Sequence, residues 1–276
     1  MLQLGLYSGS SLSRYENFAS RYIASRHVDV WCPPGYDSGA ARYPVLYMHD
    51  GQNLFEPDWS YLGIDWGIDE AIERLTAQGA TDGAIVVGIW HSPQRRLDYM
   101  PQVPLMTGQA RAPLEQFVRE QGGPPESDAY LRFMVEELKP FVDATYRTLP
   151  DRAHTLVMGS SMGGLISLYA LTEHPAIFGR AGCVSGHWPM GGSLLVDYFG
   201  RVLPRPGDHK IYFDYGTETE DATYEPDQLQ MDAWMQAAGY QRGRDWITQK
   251  FVGAEHSERA WRARVDVPLR FLLAQD

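Results

Sequence analysis

Residues Gly159-Ser160-Ser161-Met162-Gly163 have the types and spacing for nucleophilic catalysis. They follow an apolar run, Thr155-Leu156-Val157-Met158, and precede a helical pattern from Leu165 to Leu171. A strand, then G-x-S-x-G, then a helix raises one serine hydroxyl on a sharp turn above a sheet. The flanking glycines are expected because side chains there would meet the adjoining strand and helix, while the serine itself sits in strained backbone. A plain glycine-rich turn would carry the same letters, but the strand before and the helix after favour a functional turn. Ser161 is the expected nucleophile.

A serine hydroxyl attacks poorly until a base takes its proton, and the base needs an orienting acid. Where a strand, G-x-S-x-G, helix turn carries the nucleophile, these follow in the order serine, acid, histidine. Downstream of Ser161 stand His174, His187, His209 and His256. His174 ends the helix after the motif, and His209 precedes a strand at its amino end, so neither reaches the serine. His256 follows the last strand, in Gly253-Ala254-Glu255-His256-Ser257, and is the expected base. His187 lies at the same edge and is expected to line the pocket. The turn Gly216-Thr217-Glu218-Thr219-Glu220-Asp221 offers three carboxylates. Asp221 is favoured because a short side chain is held rigidly against an imidazole, with Glu218 as the alternative; the choice stays open. Two backbone donors must meet the tetrahedral oxyanion. Met162 N–H is one. Gln52 N–H is the other, on the argument that Gly51 lets His49-Asp50-Gly51-Gln52-Asn53 turn toward the site, although Asp-Gly also suits an ordinary tight turn.

These groups need a scaffold, and hydrophobic periodicity supplies one. Arg26 to Trp31, Tyr43 to Met48, Ala84 to Ile89, Thr155 to Met158, Gly179 to Ser185, Lys210 to Tyr215 and Trp246 to Val252 read as strands. Gly67 to Leu75, Ser127 to Tyr146 with Ser127 as N-cap, the segment after Ser161, Asp227 to Ala238 and Trp261 to Leu273 read as helices. Pro140 is expected to kink or stop the second of these, and Pro268 interrupts the last. Short apolar strands alternating with helices predict an α/β fold: a mostly parallel central sheet with helices on both faces, in one domain over residues 1–276. Residues 91–125, rich in proline with Gly108, Gly122 and Gly123, and residues 186–207 read as irregular, lid-like segments at the carboxyl edge of the sheet.

The chain has 276 residues, 44% of them hydrophobic and 21% charged, enough for a sizeable core. A formal net charge of -11 with no clustered Lys and Arg argues against a nucleic-acid partner. No stretch reaches the ~18 apolar residues of a membrane span. No secretory signal is visible at the N-terminus, which points to the cytoplasm, and a homo-oligomer stays open. Cys32 and Cys183 have no metal spacing and read as buried free thiols.

The matching segments run nearly end to end. They are Val28-Asp29-Val30-Trp31 with Pro33-Pro34-Gly35-Tyr36, then Tyr43 to Asn53, Ile85 to Ile89, Arg95-Arg96 with Tyr99-Met100-Pro101, Gly159 to Gly164, and Glu255-His256 before Trp261. Together they resemble the esterase branch of the α/β-hydrolase fold that holds enterochelin-type siderophore esterases, feruloyl and acetyl-xylan esterases, and S-formylglutathione hydrolases. The resemblance implies Ser161 as nucleophile, His256 as base, and hydrolysis of a small-molecule ester with no metal or organic cofactor. It leaves the acid open, because several carboxylates crowd one turn. Trp59, Trp66, Trp90, Tyr99, Trp188 and Trp234 are candidates for stacking on an aryl or sugar ester, against the usual core role of such side chains. Arg95 and Arg96 are candidates for meeting an acidic substrate, against a solvated basic pair. An acyltransferase on the same triad and a non-catalytic binding protein of the same fold are the alternatives to a serine esterase.

Overall fold

The computed structural model describes residues 2–5, 9–106 and 110–274. Among the described residues, nine strands form one sheet. In chain order they are β1 (Leu2–Gly5), β2 (Ser11–Phe18), β3 (Arg26–Cys32), β4 (Val45–His49), β5 (Ile85–Ile89), β6 (Thr155–Ser160), β7 (Arg180–Val184), β8 (Lys210–Gly216) and β9 (Trp246–Phe251). Their spatial order is β1-β2-β3-β5-β4-β6-β7-β8-β9. From β5 to β9 all pairings are parallel, whereas β1, β2 and β3 pair antiparallel and β3 meets β5 antiparallel. The inner strands β4, β5, β6 and β7 are buried at every residue, which is why their middles read as apolar on both faces and do not alternate.

Alternate strand residues feed two cores. Val45, Tyr47, Val87 and Val157 point to one face, with α5 (Ser127–Arg132), α6 (Lys139–Thr145), α7 (Met162–Glu173) and α8 (Ser193–Val202). Leu46, Met48, Val86 and Met158 point to the other, against α1 (Ile68–Ala77), α10 (Glu258–Arg264) and α11 (Asp266–Leu272). The remaining helices are α2 (Arg95–Tyr99), α3 (Gln102–Met106), α4 (Arg111–Gln121) and α9 (Glu225–Ala237).

Several expectations are corrected. The stretch 91–125 is not irregular: it holds α2, α3 and α4, while Gly108 lies outside the described residues. Pro104 and Pro113 sit at the third residue of α3 and α4, in the first turn, where a helix N–H has no partner to lose. Residues 186–207 contain α8, whose Gly200 has no room for a Cβ against the Trp234 indole of α9. Pro140 does not stop its helix. Residues Phe133–Leu138 widen into a π-helical turn that joins α5 to α6, relieving the missing N–H and the ring clash of the proline. Ser127 does not cap its own helix; its Oγ accepts the N–H of Gln102 at 3.0 Å, at the start of α3. The C-terminal pattern divides at Val265 into α10 and α11, with Pro268 in the first turn of α11. Cys32 and Cys183 are buried free thiols.

The antiparallel edge escaped the sequence reading. Along β2, Leu12 and Arg14 are buried between less buried neighbours, and Arg14 makes a bidentate ion pair with buried Asp29 of β3, at 2.7 and 2.8 Å. The Arg14 guanidinium lies 3.9 Å from the Trp59 ring and 4.4 Å from the Trp90 ring, and Trp90 Nε1–H also donates to Asp29. Those two tryptophans therefore cover a buried cation, not a substrate.

The turn after β4 presses on β5. A Cβ on Gly51 would stand 2.4 Å from the carbonyl carbon of Gly88 and 2.7 Å from the amide nitrogen of Ile89, both backbone atoms. Gly51→Ala should cost about 2–3 kcal/mol of stability by forcing that contact open. Urea unfolding measures it, and a midpoint matching the parent would contradict the close approach.

Candidate active site

The carboxyl ends of the parallel strands lie along one edge, where ligands bind in open α/β sheets. A cleft of about 610 Å³ opens there, lined by Ser161, His256, His187, Glu220, Gln52 and Arg96 among others. Ser161 follows β6 directly and precedes α7 with φ 57 and ψ −123, a left-handed, strained backbone for a residue with a side chain. Its N–H donates to Val184 O of β7, and its carbonyl accepts from the N–H groups of Gly164, Leu165 and His187. Gly159 is dictated by space, since a Cβ would stand 2.9 Å from the Gly163 carbonyl carbon. Gly163 itself is less constrained, with Asp50 Oδ2 and His49 Cβ at 3.4 Å from an added Cβ.

His256, in the loop after β9, donates from Nδ1 to Asp221 Oδ1 at 2.6 Å. Asp221 is buried in a 3-10 turn, Thr219–Thr223, after β8, and its other oxygen accepts from Ser185 Oγ and Gly216 N–H, both at 2.6 Å. Burial pushes the Asp221 carboxyl up, but these bonds from His256, Ser185 and Gly216 outweigh it and hold the group below its usual value. Glu218 is exposed, on a different cleft with Lys250 and Arg259. Ser161 shares the cleft wall with His256, although among the described residues no hydrogen bond joins its hydroxyl to the imidazole. Such contacts are often long before substrate binds.

His187 also lines the cleft; its Nδ1 is 2.5 Å from the Tyr224 hydroxyl, and burial followed by the neighbouring His256 lowers its pKa. His209 is buried at the opposite edge, where Nε2 meets Pro175 O at 2.9 Å, and His174 caps the end of α7.

The second loop of the site is built differently from the expectation. The positive φ belongs to Asp50, at 57°, while Gly51 is needed for its approach to β5. Asp50 N–H donates to the Tyr99 hydroxyl at 3.3 Å, and its carboxylate takes Arg95 in a bidentate pair at 2.7 and 2.8 Å. Burial pushes the Asp50 carboxyl up; Arg95 more than reverses that and keeps it low. Arg95 is thus a tie for the loop, and its side chain, 26% exposed, also borders the cleft. Gln52 follows on the cleft wall, inside a 3-10 turn, Gly51–Asn53.

The aromatic candidates do not form a stacking wall. Trp66 is buried against Trp261, Tyr99 is buried beneath Asp50, Trp188 is buried with Nε1–H on Gln228, and Trp234 covers Gly200. The aromatic at the mouth is Tyr61, beside Leu62, whose φ of 57° holds it outward. They are 63% and 75% exposed, large apolar groups on the rim of a polar cleft. Sequence reasoning missed them because Tyr61-Leu62-Gly63 has no periodicity.

A family model described as "Putative esterase" matches residues 20–272, and the chain belongs to that family. The chain is therefore a carboxylic-ester hydrolase of the α/β-hydrolase fold. It is 23% identical over 194 residues to the protein YbbA of Bacillus subtilis strain 168, covering 70% of this chain and 69% of that one. It is 29% identical over 157 residues to the ferri-bacillibactin esterase BesA of the same organism, covering 54% and 50%, so it spans about half the length of that relative. Among solved structures, a ferulic acid esterase superposes with a TM-score of 0.69 at 18% identity, covering 96% and 98% of the two chains. An IroE-like serine hydrolase from Shewanella oneidensis gives a TM-score of 0.69 at 19% identity, covering 97% and 82%. No helix among the described residues is long and apolar enough to cross a membrane.

Asp50→Asn should lower stability by about 1–3 kcal/mol at neutral pH, because it leaves a largely buried guanidinium with a neutral partner. The folded pKa of Asp50 is depressed, so its contribution is complete above the unfolded value near ~4 and disappears as pH falls through the folded value. Urea midpoints of parent and variant should converge on acidification; a constant gap down to the acid limit would contradict the ion pair.

Proposed function

We propose that the chain cleaves an aryl carboxylic ester through an acyl-enzyme, with Ser161 as nucleophile, His256 as base and Asp221 as the orienting acid. The observation that carries this is the Asp221–His256 hydrogen bond on the wall of the cleft that a strained Ser161 shares. His256 takes the hydroxyl proton as Ser161 attacks the ester carbonyl. Asp221, acceptor-only and held low, fixes the tautomer and steadies the imidazolium. The proton then passes to the leaving alcohol, and water repeats the sequence to free the acid.

The oxyanion is met by the N–H of Met162 and that of Gln52. Met162 opens α7, where N–H groups lack intrahelical acceptors and the helix dipole favours negative charge. Gln52 stands across the cleft on the loop that Arg95 ties down. Each donor is worth about 3 kcal/mol at the transition state. The rim supports the aryl part of the substrate: Tyr61, Leu62 and Met190 offer an apolar edge, and Arg96 and His91 stand on the same cleft for an acidic substituent. One structural neighbour, named a ferulic acid esterase, is named for an aromatic acid, which agrees with this reading.

Ser161→Ala should lower turnover of p-nitrophenyl esters by about 10³-fold or more while the circular dichroism stays that of the parent. Retained turnover would sink the reading.

Tyr61→Ala separates the substrate class. It should raise KM for feruloyl esters by about 10-fold while leaving acetyl ester kinetics within about twofold. Equal effects on the two would show that the rim ring does not meet the acyl group.

A further inference from the structure

The mouth of the cleft carries a group that the acyl-transfer reading leaves unused. Glu220 Oε2 lies 3.6 Å from His187 Nδ1 and 3.7 Å from His256 Nε2. One donor atom from each of the three residues lies within 4.8 Å of the others. Zinc–ligand bonds of about 2.0–2.1 Å put the donors of a tetrahedron ~3.4 Å apart. Both contacts to Glu220 already approach such an edge. Two imidazoles and a carboxylate are donors that zinc accepts, with a fourth position left for water.

The three groups differ in freedom in a way that suits an ion. His256 is fixed, because Nδ1 bonds Asp221 and the ring packs edge-on to Trp261, which leaves Nε2 toward the cleft. A carboxylate on the far nitrogen is also what a metal-bound histidine ordinarily has. His187 stands beside it, with ring centroids 6.1 Å apart. The Tyr224 hydroxyl must yield Nδ1 of His187 for an ion to take it, which keeps affinity modest and binding reversible. Glu220 is 62% exposed and swings onto an ion without unpacking anything.

We propose that His187, Glu220 and His256 form a site for a zinc-class divalent ion, and that an ion held there switches the esterase off by occupying the Nε2 lone pair. The switching-off rests on His256 as the base; binding of the ion does not.

Cobalt(II) serves as a visible-absorbing stand-in for zinc, titrated into the Ser161→Ala chain so that binding is read without turnover. Saturable binding of one equivalent with a tetrahedral spectrum, displaced by zinc, is expected. Glu220→Gln and His187→Gln should each weaken it by about tenfold or more, as loss of one of three ligands requires. In the parent chain, zinc should inhibit p-nitrophenyl ester hydrolysis and a chelator should restore it. Glu220→Gln should raise the inhibitory zinc concentration by about the same factor, with each rate normalised to its own metal-free value. Cobalt binding that is absent, or indifferent to both substitutions, overturns the site. Binding that obeys them without zinc inhibition overturns the switch. Turnover retained by Ser161→Ala overturns the nucleophile instead and leaves the cobalt result standing.

Discussion

The backbone of Ser161 is where the structure concentrates its constraint. Its N–H is tied to β7 through Val184 O, and its carbonyl gathers three N–H donors, two from α7 and one from His187. That set of bonds forces the residue into positive φ, where a side chain is strained, and the strain persists because strand, helix and neighbouring loop over-determine it. The same turn therefore fixes the serine at the head of a helix and the loop carrying His187 beside it. Gly159 is the steric condition for that arrangement, since β6 and α7 approach too closely for a Cβ.

A second strained serine supports the acid. Ser185 has φ 44, is fully buried, and follows β7 as Ser161 follows β6. Its hydroxyl donates to Asp221 Oδ2 and accepts from Arg264 at 2.7 Å and from Trp261 Nε1–H at 3.1 Å, while its N–H donates to Asp214. Arg264 is buried against Asp214, at 3.0 and 3.1 Å. A buried carboxylate beside a buried ion pair is costly unless each lone pair is used, and here nearly every one is. Helix α10, which supplies Trp261 and Arg264, is thereby coupled to the orientation of Asp221 although neither residue reaches it directly at hydrogen-bond distance.

What was legible in the sequence was what depends on local pattern. Residues Thr155 to Gly163 carry strand, turn and helix in consecutive letters, and His256 follows a strand at the edge where ligands bind. The antiparallel edge was illegible because β2 turns a charged side chain inward: Arg14 reads as a surface residue until Asp29, Trp59 and Trp90 are seen around it. The helices within 91–125 were hidden by prolines that read as breakers, of which Pro104 and Pro113 stand in first turns, where they are compatible with a helix, and the others lie outside the helices. Pro140 misled in the opposite sense, because a π-helical turn absorbs it. The choice among Glu218, Glu220 and Asp221 needed three dimensions: a 3-10 turn buries Asp221 and leaves the two glutamates exposed. Long-range pairing, not local propensity, separates them.

The charge of the cleft follows from which groups are already spent. Arg95 is neutralised by Asp50, and Asp221 lies behind His256, so neither projects a net charge into the cavity. Arg96, Glu220 and Glu258 also line the cleft, and burial raises the Glu258 pKa. The chain as a whole is strongly acidic, at -11, which repels an anionic substrate at long range. That field is screened beyond about 8 Å at physiological salt, whereas a guanidinium in contact is not. For the proposed aryl ester, an acidic substituent would therefore be met by contact with Arg96 and not by long-range steering, so salt should bear on encounter more than on fit.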